Sequence, residues 1–409
     1  MTAANAAWSL PVKHDYRYAA SAGSLSFVGG AGDFDQVGKI CNPQQLMAQI
    51  PGTLVNVETA LAAESCSLDD VVRIKAFYSS DGSVDEWQVM AALAKVFTTR
   101  PLPAISLLPV TSQPFSGQSI QIQAIAQRGW RRFDDVRVVE SAIPTQHKTL
   151  FTHEALTAGL RAGEFIAIAN RTAVSLDERI TGDGAAQSKA IMDSLSDTLS
   201  ELGASFQDVV KKECYYFGTD RPQWAAMATV RASYFKEPGP VATTVPCQVL
   251  WPDEAVTKIE LLAMRTSRDG FDKYIPREDS WPPRVWDWPI PLPYRQGSRL
   301  RDVIWLGGQV PAPPFANQPG RVYPTELRPQ TVQVFSFIDD LLRVFSRRSA
   351  DLSLAVCYFK SDGSQATTDA FLATMAACTG GVLPPMTLVP MPHLHTPETT
   401  VEIWGVAPG

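Results

Sequence analysis

Residues 103–126, PAISLLPVTSQPFSGQSIQIQAIA, set a segment bracketed by Pro103 and Pro109 ahead of an alternating strand that starts at Ile120. Apolar residues recurring at period two predict a strand with one face turned to the core. The construction returns as PVATTVP from Pro240, followed by KIELLAM from Lys258, and as PPMTLVP from Pro384, followed by VEIWGVA from Val401. With the second strand started at Ile259, the gaps are 120 − 103 = 17, 259 − 240 = 19 and 401 − 384 = 17. Three placements of P-x-x-[S/T]-x-[L/V]-P before an apolar strand make the chain a triplicate.

The rest of each copy lines up on this anchor. Upstream lie SLSFVGGAG with Gly29 and Gly30, FIAIANRTA with Ala169 and Asn170, and VIWLGGQVP with Gly307 and Gly308. Between them come DDVVRIKAFYSSDGS from Asp69, QDVVKKECYYFGTD from Gln207 and DLSLAVCYFKSDGS from Asp351. Each unit therefore reads strand, amphipathic helix, strand, turn, second helix, strand, turn, strand. The expected units span 1–128, 151–265 and 294–409, joined by connectors at 129–150 and 266–293. The second connector is rich in proline and tryptophan, and its Trp281, Trp286 and Trp288 are expected to pin a stiff linker onto the body rather than form a ligand platform.

Composition narrows the function classes. The 409 residues are 45% hydrophobic, enough to bury several modest cores. A net charge of −6 without a basic run argues against nucleic acid as a partner. No stretch resembles a signal peptide or a membrane span, so a cytoplasmic protein is expected. Six cysteines are scattered without a CxxC, which suggests neither a zinc site nor a disulfide framework. His393 and His395 stand one residue apart with no third ligand indicated, so neither metal nor cofactor is expected.

The Gly-Gly strand, the strand ending in an Asp-Gly turn and the proline anchor followed by (I/V)-(E/Q)-I resemble the Rid family, also called YjgF. The third copy shows it best, in LPYRQGSRLRDVIWLGGQVP at residues 292–311. The resemblance implies a chorismate-mutase-like α/β (α+β) fold in each unit. It also implies ligand clefts where units meet, so that three units in one chain close into an intramolecular pseudotrimer, monomeric as a whole molecule. It further implies hydrolysis of imine or enamine intermediates, with an arginine two residues after the anchor proline gripping a substrate carboxylate. Those positions here are Ile105, Ala242 and Met386, and Arg171 on the second Gly strand is no in-place substitute.

The family's strand glutamate is matched to Glu260 and Glu402, with Gln121 in the first copy; its tyrosine is matched to Tyr16 and Tyr294, with Leu156 in the second. A glutamate in an interface cleft can shuttle a proton while a tyrosine hydrogen-bonds the ligand. The expected catalytic residues are therefore Glu260, Glu402, Tyr294 and Tyr16, paired as Glu260 with Tyr294 and Glu402 with Tyr16. The cleft holding Gln121 and Leu156 is expected to be filled by side chains. Substrate contacts are expected from Gly307, Gly308, Gln309, Arg171, Thr244 and Met386, and Thr244 becomes a nucleophile only with a base beside it. The function expected is that of a hydrolase or deaminase-like enzyme acting on C–N bonds of a small imine, enamine or amide-type intermediate. The alternative is a non-catalytic relative that binds a small metabolite or a partner protein.

Overall fold

Each proline-bracketed segment forms a short buried strand laid parallel to the apolar strand before it. Ala104–Pro109 runs beside Val71–Tyr78, Val241–Cys247 beside Val209–Phe217, and Met386–Met391 beside Leu354–Lys360. Parallel neighbours require a crossover, and the second helix of each unit supplies it: Glu86–Val96, Arg221–Ala232 and Gln365–Cys378. The last strand of each unit, Ile120–Gln127, Thr257–Met264 or Val401–Pro408, inserts antiparallel between that central strand and the Gly strand. The Gly strands are Leu25–Ala31, Phe165–Arg171 and Val303–Leu306. The first helices, Leu46–Ala63, Gly184–Glu201 and Leu327–Arg343, cover one face of each sheet.

This is a computed structural model, and it describes residues 8–174, 179–180, 182–218, 221–266, 275–312 and 325–409. Among the described residues, three of four sheets repeat one strand order, as the triplicate sequence requires, and the fourth pairs Asp15–Tyr16 of unit one with Val382–Leu383 of unit three. The turns entering the central strands repeat as well. Ser67 N donates to Asp70 Oδ2 at 2.9 Å, Ser205 N to Asp208 at 2.8 Å and Arg348 N to Asp351 at 2.9 Å. Gly203, with φ +72°, ends the second unit's first helix as a left-handed C-cap. Two strands lie inside the segments expected to be connectors: Val136–Ala142 extends the second sheet and Arg277–Ser280 the third. Residues 267–274 of the second connector lie outside the described residues. Among the described residues, no helix is long and apolar enough to cross a membrane.

The units close into a ring because each proline-anchored strand receives the Gly strand of the next unit. Asn170 of unit two bonds the backbone of Leu107 in unit one through its side chain, at 2.6 Å to the carbonyl. Gly308 N of unit three donates to Ala242 O of unit two at 2.9 Å. Unit one returns to unit three, where an alanine Cβ at Gly29 would collide with the Met386 backbone. The helix-free faces of the three sheets meet inside, where Phe27, Phe165, Tyr215, Trp305, Tyr358 and Trp404 share one apolar cluster.

Charges lie buried in that interior. Arg73 Nη2 of unit one meets Glu260 Oε2 at 2.7 Å and Glu213 Oε1 at 3.3 Å, both from unit two. Lys75 pairs with Glu213 Oε2 at 2.9 Å and also with Glu260. Tyr215 Oη donates to Glu213 at 3.0 Å and lies 2.9 Å from Tyr358 Oη of unit three. Burial alone would raise the Glu260 carboxyl, but Arg73 and Lys75 outweigh it and hold the group at about 2.

Glu260→Gln should therefore destabilise the protein by about 3–5 kcal/mol at pH 7, read by urea unfolding, because it strips Arg73 and Lys75 of a buried partner. The folded value lies below the ordinary 4.5, so this contribution is fully present above that pH and fades as pH falls toward about 2. The gap between wild type and Glu260→Gln should shrink over that window.

Candidate functional site: the cleft between the second and third units

Strand register identifies the residue that each last strand presents to a seam between units. Gln121 lies opposite Phe77, Lys258 opposite Tyr215 and Glu402 opposite Tyr358, at matching positions of the central strands. Glu260 lies opposite Glu213, two residues further along, where units one and three carry Gln123 and Trp404. The match of Glu260 to Glu402 is therefore corrected to Lys258. A slip of two preserves the face of a strand, so hydrophobic alternation could not reveal it. The spacing could: a gap of 257 − 240 = 17, as in the other copies, starts the strand at Thr257.

The three equivalent positions have three fates. At the seam of units three and one, Gln121 grips the backbone of Leu388 with both ends of its amide, Nε2 to the carbonyl at 2.5 Å and Oε1 to the N–H at 3.3 Å. At the seam of units one and two, Lys258 Nζ meets Glu86 Oε1 at 2.5 Å, and Tyr78 Oη donates to Glu86 Oε2 at 3.1 Å. This seam holds an open cavity of about 960 Å³ lined in part by Ile105, Leu156, Arg171 and Trp251. Gln121 and Leu156 thus belong to different seams, and the one with Leu156 is not filled.

The seam of units two and three keeps an acid. Glu402 is 2% exposed at the base of a cleft of about 440 Å³, and its Oε2 lies 2.7 Å from His395 Nε2. His395 Nδ1 faces Tyr216 Oη of unit two at 3.5 Å. Thr244, at the position of Leu107 and Leu388, adds a hydroxyl to the wall. Trp224, Trp286 and Trp288 supply aromatic surface, and Arg221 lies on the same lining. The indole N–H groups of Trp286 and Trp288 have no partner among the described residues. A hydrogen-bonded acid and imidazole under an aromatic wall can pass a proton to or from a small ligand.

The remaining expected residues fall as follows. Gly307 and Gly308 form the unit-three edge of this seam; a Cβ at Gly308 would overlap the Glu402 carboxylate and stand 3.1 Å from Thr243 Oγ1. Gln309 is buried behind them, its Nε2 donating to Gln296 Oε1 at 2.8 Å. Tyr294 does not meet Glu260: it is 1% exposed and packs against Phe235 and Trp288. Tyr16 does not meet Glu402, because its hydroxyl is taken by Leu10 N at 2.5 Å and Tyr18 Oη at 3.0 Å. Arg171 is tied to Ser194 O at 3.0 Å and Thr198 Oγ1 at 2.7 Å in the other open seam. Met386 is buried against unit one. Tyr216 and Trp224 carry no signal in the sequence, and His395 stands out there only as one of two neighbouring histidines without a third metal ligand. Trp286 is buried in the main apolar core and Trp288 packs edge-on against Tyr294 at 5.9 Å, which pins the connector to the body, and both also line the cleft.

Comparison with known proteins accords with this architecture. The family model described as Endoribonuclease L-PSP matches residues 8–128 and 148–265, more than half of the chain. A RutC family protein of Pyrococcus abyssi is 28% identical over 126 residues, 29% of this chain and 97% of the relative. A chorismatase crystal structure superposes with a TM-score of 0.53 at 13% identity, covering 83% of this chain and 93% of the other. A YjgF/YER057c/UK114 family member of Mycobacterium tuberculosis gives a TM-score of 0.26 at 23% identity, covering 32% of this chain and 98% of its own.

Gly308→Ala should displace the Glu402 carboxylate from His395 and cost about 1–3 kcal/mol as overpacking. Thermal unfolding reads the cost, and changed NMR chemical shifts of the His395 ring at fixed pH read the displacement. Gly30→Ala crowds Gln121 instead and should leave the His395 ring shifts unchanged.

Proposed function

Since the chain belongs to the Endoribonuclease L-PSP family, known also as Rid or YjgF, we propose that it is an enzyme acting on C–N bonds of a small imine, enamine or amide-type intermediate. The observation that carries this reading is the pairing of Glu402 with His395 at 2.7 Å in the cleft between units two and three. Hydrolysis at such bonds needs one proton delivered to nitrogen, or to the enamine carbon, and another removed from the attacking water. A carboxyl and an imidazole in hydrogen-bond contact can fill both roles in turn, and positioned acid–base groups contribute typically about 10²–10⁴ in rate. Unit-one and unit-two counterparts of Glu402 are an amide locked to backbone and a lysine locked to Glu86, which supports a single working cleft.

Substrate choice follows from the lining. Ile105, Ala242 and Met386 stand where the family resemblance calls for a carboxylate-gripping arginine, so imines of free amino acids are disfavoured. Tryptophan surface favours an aromatic or alicyclic body. The same surface suits retention of a metabolite without turnover, and one experiment separates the two readings. Imines with and without a carboxylate, generated in situ, are offered to the purified protein, and semicarbazide competes for what it does not hydrolyse. Carboxylate-free imines should be turned over, with Glu402→Gln lowering kcat by about 10²–10⁴. Fluorescence quenching of the cleft tryptophans by these compounds, with no accelerated hydrolysis of any, would instead assign a binding protein.

A further inference from the structure

Behind the cleft wall stands a lysine with no acid beside it. Lys212 is 1% exposed, and among the described residues its polar neighbours are Thr244 Oγ1, 3.5 Å from Nζ, and the face of Tyr294, whose centroid is 4.5 Å away. Two other buried lysines are paired with acids, Lys75 with Glu213 and Lys258 with Glu86, while Lys211 donates to Thr243 Oγ1 at 2.6 Å and to Leu306 O at 3.0 Å. An unpaired buried ammonium is costly, so such a lysine tends to be neutral and able to accept a proton. Burial lowers Lys212 to about 7, and Arg231 on the neighbouring helix pushes the same way. Its other titratable neighbours are Cys214 on its own strand and Tyr294.

The three-fold repeat supplies an internal comparison. Register places Ile74 and Ala355 at the position of Lys212, and Leu107 and Leu388 at the position of Thr244. Both positions are apolar in both sister units. They become an amine and a hydroxyl together, in the unit whose seam also receives Glu402 and His395. A pair made only for packing has no reason to arise beside the one seam that keeps its acid.

We propose, resting on the C–N reading above, that Thr244 is a nucleophile and Lys212 its base, and that the substrate class includes amide- or ester-type carbonyls. Thr244 Oγ1 bonds to the carbonyl carbon while its proton passes to Lys212 Nζ. The C–N bond then breaks, and the leaving amine takes a proton from the Glu402–His395 pair. Water attacks the resulting threonine ester and gives up a proton to the Glu402–His395 pair; the ester C–O bond breaks to release the acid, and Thr244 Oγ1 takes back the proton held by Lys212. Nucleophile–base contacts are often looser without substrate than during reaction, as 3.5 Å is here.

The test uses 4-nitrophenyl acetate on the full-length protein. Its leaving group needs no proton, so acylation reports on Thr244 and Lys212 whether or not imines are turned over. The expected result is a nitrophenolate burst with one acetyl group on Thr244 by peptide mass spectrometry. The burst should be absent in Thr244→Val and kept in Thr244→Ser. Its rate should rise through about pH 7 as Lys212 loses its proton, and should fall at least tenfold in Lys212→Met. That variant replaces a buried amine that has no acid partner with an apolar chain of similar length, so its unfolding temperature, measured in parallel, should not fall. Absence of acetyl on Thr244 in folded wild type, or equal acetylation in folded Lys212→Met, overturns the proposal.

Discussion

Four charged side chains shut away from water, Arg73 and Lys75 from the first unit and Glu213 and Glu260 from the second, constrain how the three sheets come together. The third unit offers the neutral Tyr358 to the same cluster through Tyr215. Desolvating charge is so expensive that each must find its opposite. A ring built from three copies of the first unit would gather only cations from these positions. The charges therefore act by excluding wrong combinations as much as by stabilising the right one. Lys211 adds a further tie, reaching from unit two to Leu306 O of unit three at 3.0 Å.

Once the units are held in a fixed order, their seams are free to differ. The residue next to the outer end of each last strand shows how far they have gone: Gln121 fastens one seam shut, Lys258 is neutralised by Glu86 in another, and Glu402 keeps its carboxyl for His395 in the third. A symmetric trimer could not specialise this way, because any substitution would appear in every seam. The connector between units two and three contributes as well. Trp286 and Trp288 follow the edge strand Arg277–Ser280 as residues 143–148 follow Val136–Ala142, and each segment walls one open seam, but only the one before unit three carries tryptophans.

Much of this molecule is legible in its sequence because the determining signals are local. Proline brackets, period-two strands and Asp-Gly turns mark each unit without reference to any other, and their threefold recurrence establishes the pseudotrimeric α/β architecture. Glu402, Thr244, Gly307 and Gly308 are also reached from sequence, because the first two lie on strands fixed by the proline anchor and the glycines directly follow one. What tertiary structure alone decided is which of these residues meet. The 17-residue spacing can reveal the two-residue slip that takes Glu260 off the seam position, but that it meets Arg73 and Lys75 of another unit exists only in the packed molecule. Tyr216 and Lys212 share one strand of unit two, Trp224 lies on that unit's second helix and His395 precedes the last strand of unit three, and nothing local distinguishes a tyrosine or lysine that will reach a cleft from one that will not. Their roles depend on distances between chain segments far apart in sequence, which exist only after the ring has closed.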